Sequence, residues 1–198
     1  MVQDKTYKDI PTFYAKSQAA WRKWLEKNHL KEKAVWLIIY KKAAQVPSVN
    51  YAEAVDEALC FGWIDSKANT KDDLSYYQYF AKRNPKSKWS KVNKDKVAKF
   101  IKEGKMAPEG LAMIELAKKT GTWEALNAVD ALIIPDDMLK LFKKNKTAFT
   151  NWNSFSRSVQ RGILEWISNA KREETRQKRI DETITLAAQN IKANQYRQ

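Results

Sequence analysis

The run Ala58-Leu59-Cys60-Phe61-Gly62-Trp63-Ile64-Asp65-Ser66 decides how this chain folds. Leading into it, Tyr51, Val55, Ala58 and Leu59 recur at i, i+4, i+7 and i+8, the apolar stripe of a short amphipathic helix. Asn50 with Glu53 three residues on has the spacing of a capping box, which starts that helix at Tyr51. Gly62 then lets the backbone leave the helix at positive φ, a conformation that side-chain-bearing residues resist. Downstream, Trp63 to Ala68 and Leu74 to Arg83 read as two strands around the polar turn Asn69–Asp73. A helix that passes through a glycine hinge into a hairpin points to an α+β fold with a small antiparallel sheet.

Working outward, Ala34 to Tyr40 is an unbroken apolar run and reads as a strand buried on both faces. Phe13 to Asn28 reads as a first helix, since Phe13, Ala20, Trp21, Trp24 and Leu25 fall close to one face. His29 sits at its end as a cap. Asn84-Pro85-Lys86-Ser87 breaks the hairpin pattern, and Asn93 is read as the cap of a helix with Val97, Phe100 and Ile101 inward. From residue 106 onward every periodic segment is helical. Pro108 opens one helix, Pro135-Asp136-Asp137 another with acids at its positive pole, and Ser154 introduces the stripe Phe155, Val159, Ile163, Trp166 and Ile167. Glu173 to Asn190 adds the last helix, and the final residues are expected to fray. The expected organisation is an α+β domain over 1–105 and an all-helical region over 106–198 packed on it.

Composition excludes several chemistries. A single Cys and a single His leave no room for a disulfide scaffold or a Cys/His zinc site within one chain. No Asp/Glu array has the spacing of a cation loop, and no glycine-rich phosphate loop is present. The expectation is therefore no metal and no cofactor. No apolar run approaches the ~18 residues of a membrane span, and Met1–Thr6 lacks the apolar core of a signal peptide, so the expected location is cytoplasmic.

Charge is the strongest compositional signal. The formal net charge is +14, and ten Lys and Arg residues face only Asp95 and Glu103 between Lys82 and Lys105. Such a band attracts polyanions, and Lys86, Lys88, Lys91, Lys96, Lys99 and Lys102 form a candidate nucleic-acid surface. Nine of the ten are Lys rather than Arg, which fits a solvated surface better than base recognition.

The sequence brings two odd clusters to notice: the hinge with Trp63 and Asp65, and Arg83 with Trp89, Ser90 and Asn93. If the hairpin sets Asp65 against Arg83, a small polar pocket results, with Lys41 and Arg83 binding an anion and Ser90 or Asn93 adding hydrogen bonds. The competing reading is an ion pair that fixes hairpin register. Cys60, at a helix C-terminus where the dipole opposes a thiolate, reads as an inert core thiol; a Cys-dependent enzyme would have only His29 as its base.

A family resemblance rests on residues from both halves. Trp21-Arg22-x-Trp24-Leu25, Asn28-His29, Tyr40-Lys41-Lys42, the stretch from Tyr51 through Ser66, and Arg83 with Ser87, Trp89, Ser90 and Asn93 resemble the YdeI/OmpD-associated, bacteriocin-protection family. So do Gly104-x-Met106, Gly110-Leu111, Trp166-Ile167 and Ala170-Lys171-Arg172-x-Glu174-Thr175-Arg176 with Arg179-Ile180. Glu173 stands where members often carry Pro, and both suit a helix first turn. The resemblance implies a small bacterial protein linked to envelope stress or bacteriocin protection, and it brings no catalytic residues. The resulting expectation is a cytoplasmic, non-enzymatic binding protein with a pocket for a small polar or anionic ligand lined by Lys41, Trp63, Asp65, Arg83, Trp89, Ser90 and Asn93. Nucleic-acid binding through the basic band is the alternative.

Overall fold

The computed structural model describes residues 5–194. The chain divides into two compact units, residues 1–124 and residues 125–198. The expected fraying at the C-terminal end concerns residues outside the described ones.

Among the described residues the first unit holds five strands and four α-helices, and its sheet has the order β1-β2-β3-β5-β4. β1 (Thr6–Tyr7) and β2 (Ile10–Tyr14) precede α1 (Gln18–Asn28), and β3 (Ala34–Tyr40) runs parallel to β2. α2 (Tyr51–Cys60) leads through the hinge into β4 (Trp63–Thr70), which turns back into β5 (Ser75–Lys82), antiparallel to both β4 and β3. α3 (Lys91–Lys102) and α4 (Pro108–Lys119) complete the unit.

The α+β class is as expected, but the sheet is mixed rather than antiparallel, because the segment read as the start of a helix is strand β2. Phe13 belongs to that strand and still packs on Trp21 and Trp24, with ring centroids 6.2 and 5.5 Å away. A strand residue and a helix face converging on one core give the spacing that looks like a single helix. α1 starts instead at Ser17, whose hydroxyl accepts the Ala20 N–H. Likewise α3 is capped by Ser90, whose Oγ accepts the Asn93 N–H, so Asn93 lies within the first turn.

Alternation along β3 separates two apolar layers. Val35, Leu37 and Ile39 face the main core with Trp21, Leu25, Leu59, Trp63 and Phe80, while Trp36 and Ile38 face an aromatic layer with Tyr77. The helix–sheet core fixes the hinge, because α2 buries Ala54, Val55, Ala58, Leu59 and Cys60 against it.

The two compact units divide between residues 124 and 125. α4 belongs with the first unit because Gly110 rests on the end of α2, where a Cβ would stand 2.2 Å from the Cys60 carbonyl oxygen. The Ala107 N–H donates to that same oxygen at 2.9 Å.

The second unit is helical throughout its described residues: α5 (Asn127–Asp130), α6 (Asp136–Lys144), α7 (Lys146–Ser154), α8 (Arg157–Ser168) and α9 (Glu173–Ala188). Its core gathers Met138, Phe142, Trp152, Ile163, Ile167 and Ile180. The stripe read as starting at Ser154 begins at α8, with Ser156 at its N-cap position, and Phe155 sits in the link after α7. Among the described residues, no helix is long and apolar enough to cross a membrane.

Candidate functional site

The hinge that decides the fold also lines a cavity. Gly62 takes φ +70°, which turns the chain so that Phe61 and Trp63 leave the end of α2 on a shared wall. The first turn of α4 docks there: the Glu109 carbonyl oxygen would lie 3.2 Å from a Cβ at position 62. That approach sets Glu109, Ala112, Met113 and Leu116, spaced i, i+3, i+4 and i+7, opposite the hinge. The end of α1 adds His29 and Leu30, and Lys82 comes from β5, paired across the ladder with Trp63. Together they line a half-open pocket of about 300 Å³. Apart from the Trp63 indole, whose N–H donates to the His29 carbonyl at 3.4 Å, the polar side chains in the lining are His29, Lys82 and Glu109.

His29 is buried, and its Nδ1 lies 2.7 Å from the Leu25 carbonyl oxygen. A carbonyl only accepts, so that nitrogen carries a proton. Nε2 faces the Glu109 carboxylate at 3.1 Å, at an angle too poor for a full hydrogen bond. Glu109 is held below the ordinary carboxylate range first by its own backbone N–H and then by His29, against a smaller opposing effect of burial. The Lys82 ammonium donates to the Leu30 carbonyl oxygen at 2.9 Å and has no carboxylate partner among the described residues. The site is a largely apolar pocket edged by an imidazole, an ammonium and a carboxylate.

Of the expected ligand set, Trp63 lines this cavity and the others lie elsewhere. The hairpin register sets Asp65 opposite Phe80, not Arg83, and the anticipated pair does not form. Asp65 instead accepts the Tyr51 O–H at 2.7 Å and faces Gln78 Nε2 at 3.5 Å. Burial, then the Asp65 contact, pushes the Tyr51 phenol up to about 12. Arg83 lies past the end of the ladder, where its N–H bonds the Gly62 carbonyl. Its guanidinium stacks 3.9 Å from the Trp89 ring centroid and donates to the Lys88 carbonyl at 2.7 Å. Desolvation alone lowers its pKa to about 10. Ser90 serves as the α3 cap, and the Lys41 ammonium donates to the Asp73 carbonyl.

In the basic band, Lys91 pairs with Asp95, Lys96 with Asp56 and Lys99 with Glu103, so half of the candidate nucleic-acid set is already engaged with carboxylates. Lys86, Lys88 and Lys102 complete that set.

Cys60 is buried, and burial followed by the nearby Glu57 carboxylate pushes its thiol up to about 11. That keeps it protonated and non-nucleophilic near neutral pH. Glu57 is itself buried, held by Gln18 Nε2 at 2.7 Å and Arg22 Nη1 at 2.8 Å, on the wall of a second, broad cleft with Lys16 and Lys105. Among the described residues, no three His, Cys, Asp or Glu side chains stand where they could hold a metal ion.

Residues 13–113 match the family model described as Domain of unknown function (DUF8412), and residues 131–190 match the one described as Bacteriocin-protection, YdeI or OmpD-Associated. The chain belongs to the first family, whose match lies in the first unit, and its second unit is similar to the second family. The hinge and the whole cavity except Leu116 fall within the first match, and the Trp166–Ile180 residues of the resemblance fall within the second. No curated protein and no solved structure matches the chain.

The residues that sequence reasoning missed are Lys82, Glu109, Met113 and Leu116. The last three carry a periodic signal on α4, but that stripe has no visible partner until the helix is docked on Gly62.

Proposed function

We propose that this protein is a non-enzymatic binder of a small, largely apolar molecule, held in the hinge cavity, and that binding is its part in bacteriocin protection or envelope stress. The observation that carries this reading is the cavity itself: a half-open, largely apolar pocket of about 300 Å³ walled by Phe61, Trp63 and Met113, with a few convergent polar groups. What favours binding over catalysis is the state of the two candidate reactive groups. Cys60 is buried with a raised pKa, and His29 is tied to the Leu25 carbonyl and faces Glu109. The anionic-ligand character expected from the sequence enters at Lys82 rather than at Arg83. The family description supplies the physiological setting.

The test is a thermal-shift screen of small apolar molecules on the wild type and on Ala112→Phe. Ala112 is an exposed residue of the cavity lining, so a phenyl group there fills space without disturbing the core. A ligand at about 100 times its Kd should stabilise the wild type by ~2.7 kcal/mol and the variant far less. Equal shifts in both proteins for every hit would end the proposal.

A further inference from the structure

We infer that the second unit carries a docking surface for double-stranded DNA, formed by the exposed faces of α6 and α7 and independent of the hinge cavity.

The sequence there is one-sided in charge. Between Met138 and Leu164 there is no Asp or Glu, while six Lys and Arg fall in the same stretch. Four of them, Lys140, Lys143, Lys144 and Lys146, are exposed and pair with no carboxylate among the described residues. Lys140, Lys143 and Lys144 stand at i, i+3 and i+4 and so share one face of α6, and Lys146 opens α7 just beyond the link at Asn145. On α3, by contrast, Lys91, Lys96 and Lys99 already face carboxylates. A cluster of unpaired ammonium groups is the charge complement of a phosphate backbone.

α7 supplies uncharged hydrogen-bonding groups beside that charge. Its exposed positions Lys146, Thr150 and Asn153 follow i, i+4 and i+7, with Thr147 next to them. The Thr147, Thr150 and Asn153 side chains make no hydrogen bond among the described residues. Thr and Asn are side chains that reach phosphate oxygens and base edges. The inner face of the helix is pinned: Ala148 and Trp152 are buried, and Asn151 Nδ2 donates to the Ala187 carbonyl of α9 at 2.8 Å. Its start is fixed by the Asn145 side chain, which accepts the Ala148 N–H at 3.0 Å. The outer face is thus presented by a helix already held in place.

The same faces discriminate among polyanions. A membrane surface takes an amphipathic helix by its apolar side, but Met138, Phe142, Ala148 and Trp152 are turned into the core of the unit. Single-stranded nucleic acid is held by stacking on aromatic rings, and none of the exposed α7 positions is aromatic. Duplex RNA keeps its base edges in a major groove too narrow for side chains. The major groove of B-DNA admits an α-helix, which suits the Thr and Asn face of α7 and leaves the α6 lysines for the flanking phosphates.

Fluorescence anisotropy of the full chain with a mixed-sequence DNA duplex of about 20 base pairs, two helical turns, is the test. Phosphate contacts from the four lysines should lower affinity roughly a hundredfold between about 50 and 200 mM salt. Lys140→Gln, Lys143→Gln and Lys144→Gln together should weaken binding about tenfold or more at low salt and reduce the slope of log affinity against log salt by about 3. Thr150→Glu, which sets an acid in the α7 face, should also weaken it about tenfold. Lys86→Gln, Lys99→Gln and Lys102→Gln together remove the same charge from exposed sites of the first unit and should leave the affinity within about twofold of the wild type. All these positions are exposed, so circular dichroism and melting temperature should match the wild type. The inference is overturned if the duplex does not bind at low salt, if the α6 variant binds as well as the wild type, or if the first-unit variant loses as much. Tighter binding of single strands, duplex RNA or anionic phospholipid vesicles than of duplex DNA would overturn it equally.

Discussion

The two units differ in what they bury. The described residues of the first unit bury His29, Glu57, Ser75, Gln78 and Arg83 among their apolar core, whereas those of the second bury Thr183 alone. Thr183 needs no outside partner, since its hydroxyl donates back to the Arg179 carbonyl one turn earlier. The second unit is thus a helical packing problem solved with hydrocarbon and aromatic rings. The first carries buried polar groups that must be matched one by one, and such groups cost stability unless they are fully paired. Of these groups His29 lines the hinge cavity, and Glu57 lies on the wall of the second cleft. Specific chemistry is therefore sought in the first unit.

The largest expected contrast comes from one glycine in each unit. Gly110→Ala would drive a Cβ to 2.2 Å from the Cys60 carbonyl oxygen, a backbone atom that cannot rotate away. It should destabilise the protein by about 3 kcal/mol or more in urea denaturation. Gly162→Ala in α8 meets nothing within 4 Å and should gain up to ~1 kcal/mol from helix propensity. A similar sign for both would mean that α4 does not sit on the hinge as described.

The next contrast removes one arginine from each unit. Arg22→Met leaves the Glu57 carboxylate, 8% exposed, with Gln18 as its remaining side-chain partner. Complete loss of a buried partner costs ~3–5 kcal/mol, and the partial exposure of Arg22 brings the expected value to about 2 kcal/mol. Arg176→Met breaks a pair with Asp137 that is open to water and should cost no more than ~1 kcal/mol. A double-mutant cycle with Glu57→Gln checks that the larger effect belongs to the pair.

A smaller effect appears only in base. The Cys60 thiol lies near 11 in the folded protein against 9.0 for a free thiol. A group whose folded pKa is raised contributes stability that is intact below the unfolded value and is lost as pH rises toward the folded one. Wild-type stability should therefore fall faster between about pH 9 and 11 than that of Cys60→Ala, and alkylation at pH 8 should proceed no faster than unfolding. Rapid alkylation of the native protein would contradict the buried, inert thiol.

Legibility in the sequence followed the same division. Local chemistry was readable wherever a single segment carried it. Asn50 and Glu53 form their capping box, Gly62 adopts positive φ, and β3 is the buried strand its composition announces. Where two segments converge on one core, local reading failed, as with Phe13, whose strand faces the same aromatic cluster as α1. The Asp65–Arg83 pair failed for a related reason. Complementary charge identified both residues, but ladder register decides contact, and the register places Phe80 opposite Asp65. The cavity was the least legible feature. His29, Lys82 and Leu116 meet only after three separate elements have docked on the hinge, and no spacing in the chain encodes that meeting.

The most direct test uses the methionines as reporters of the two units. Met113 lines the cavity, and Met138 is fully buried in the core of the second unit. Methyl NMR of protein labelled at methionine, titrated with octanoate and separately with octanol, should show a saturable shift of the Met113 methyl while Met138 stays in place, and Ala112→Phe should abolish the Met113 response. A Met113 signal that ignores both probes, or a Met138 signal that moves in step with it, would contradict the claim that the hinge cavity is the binding site.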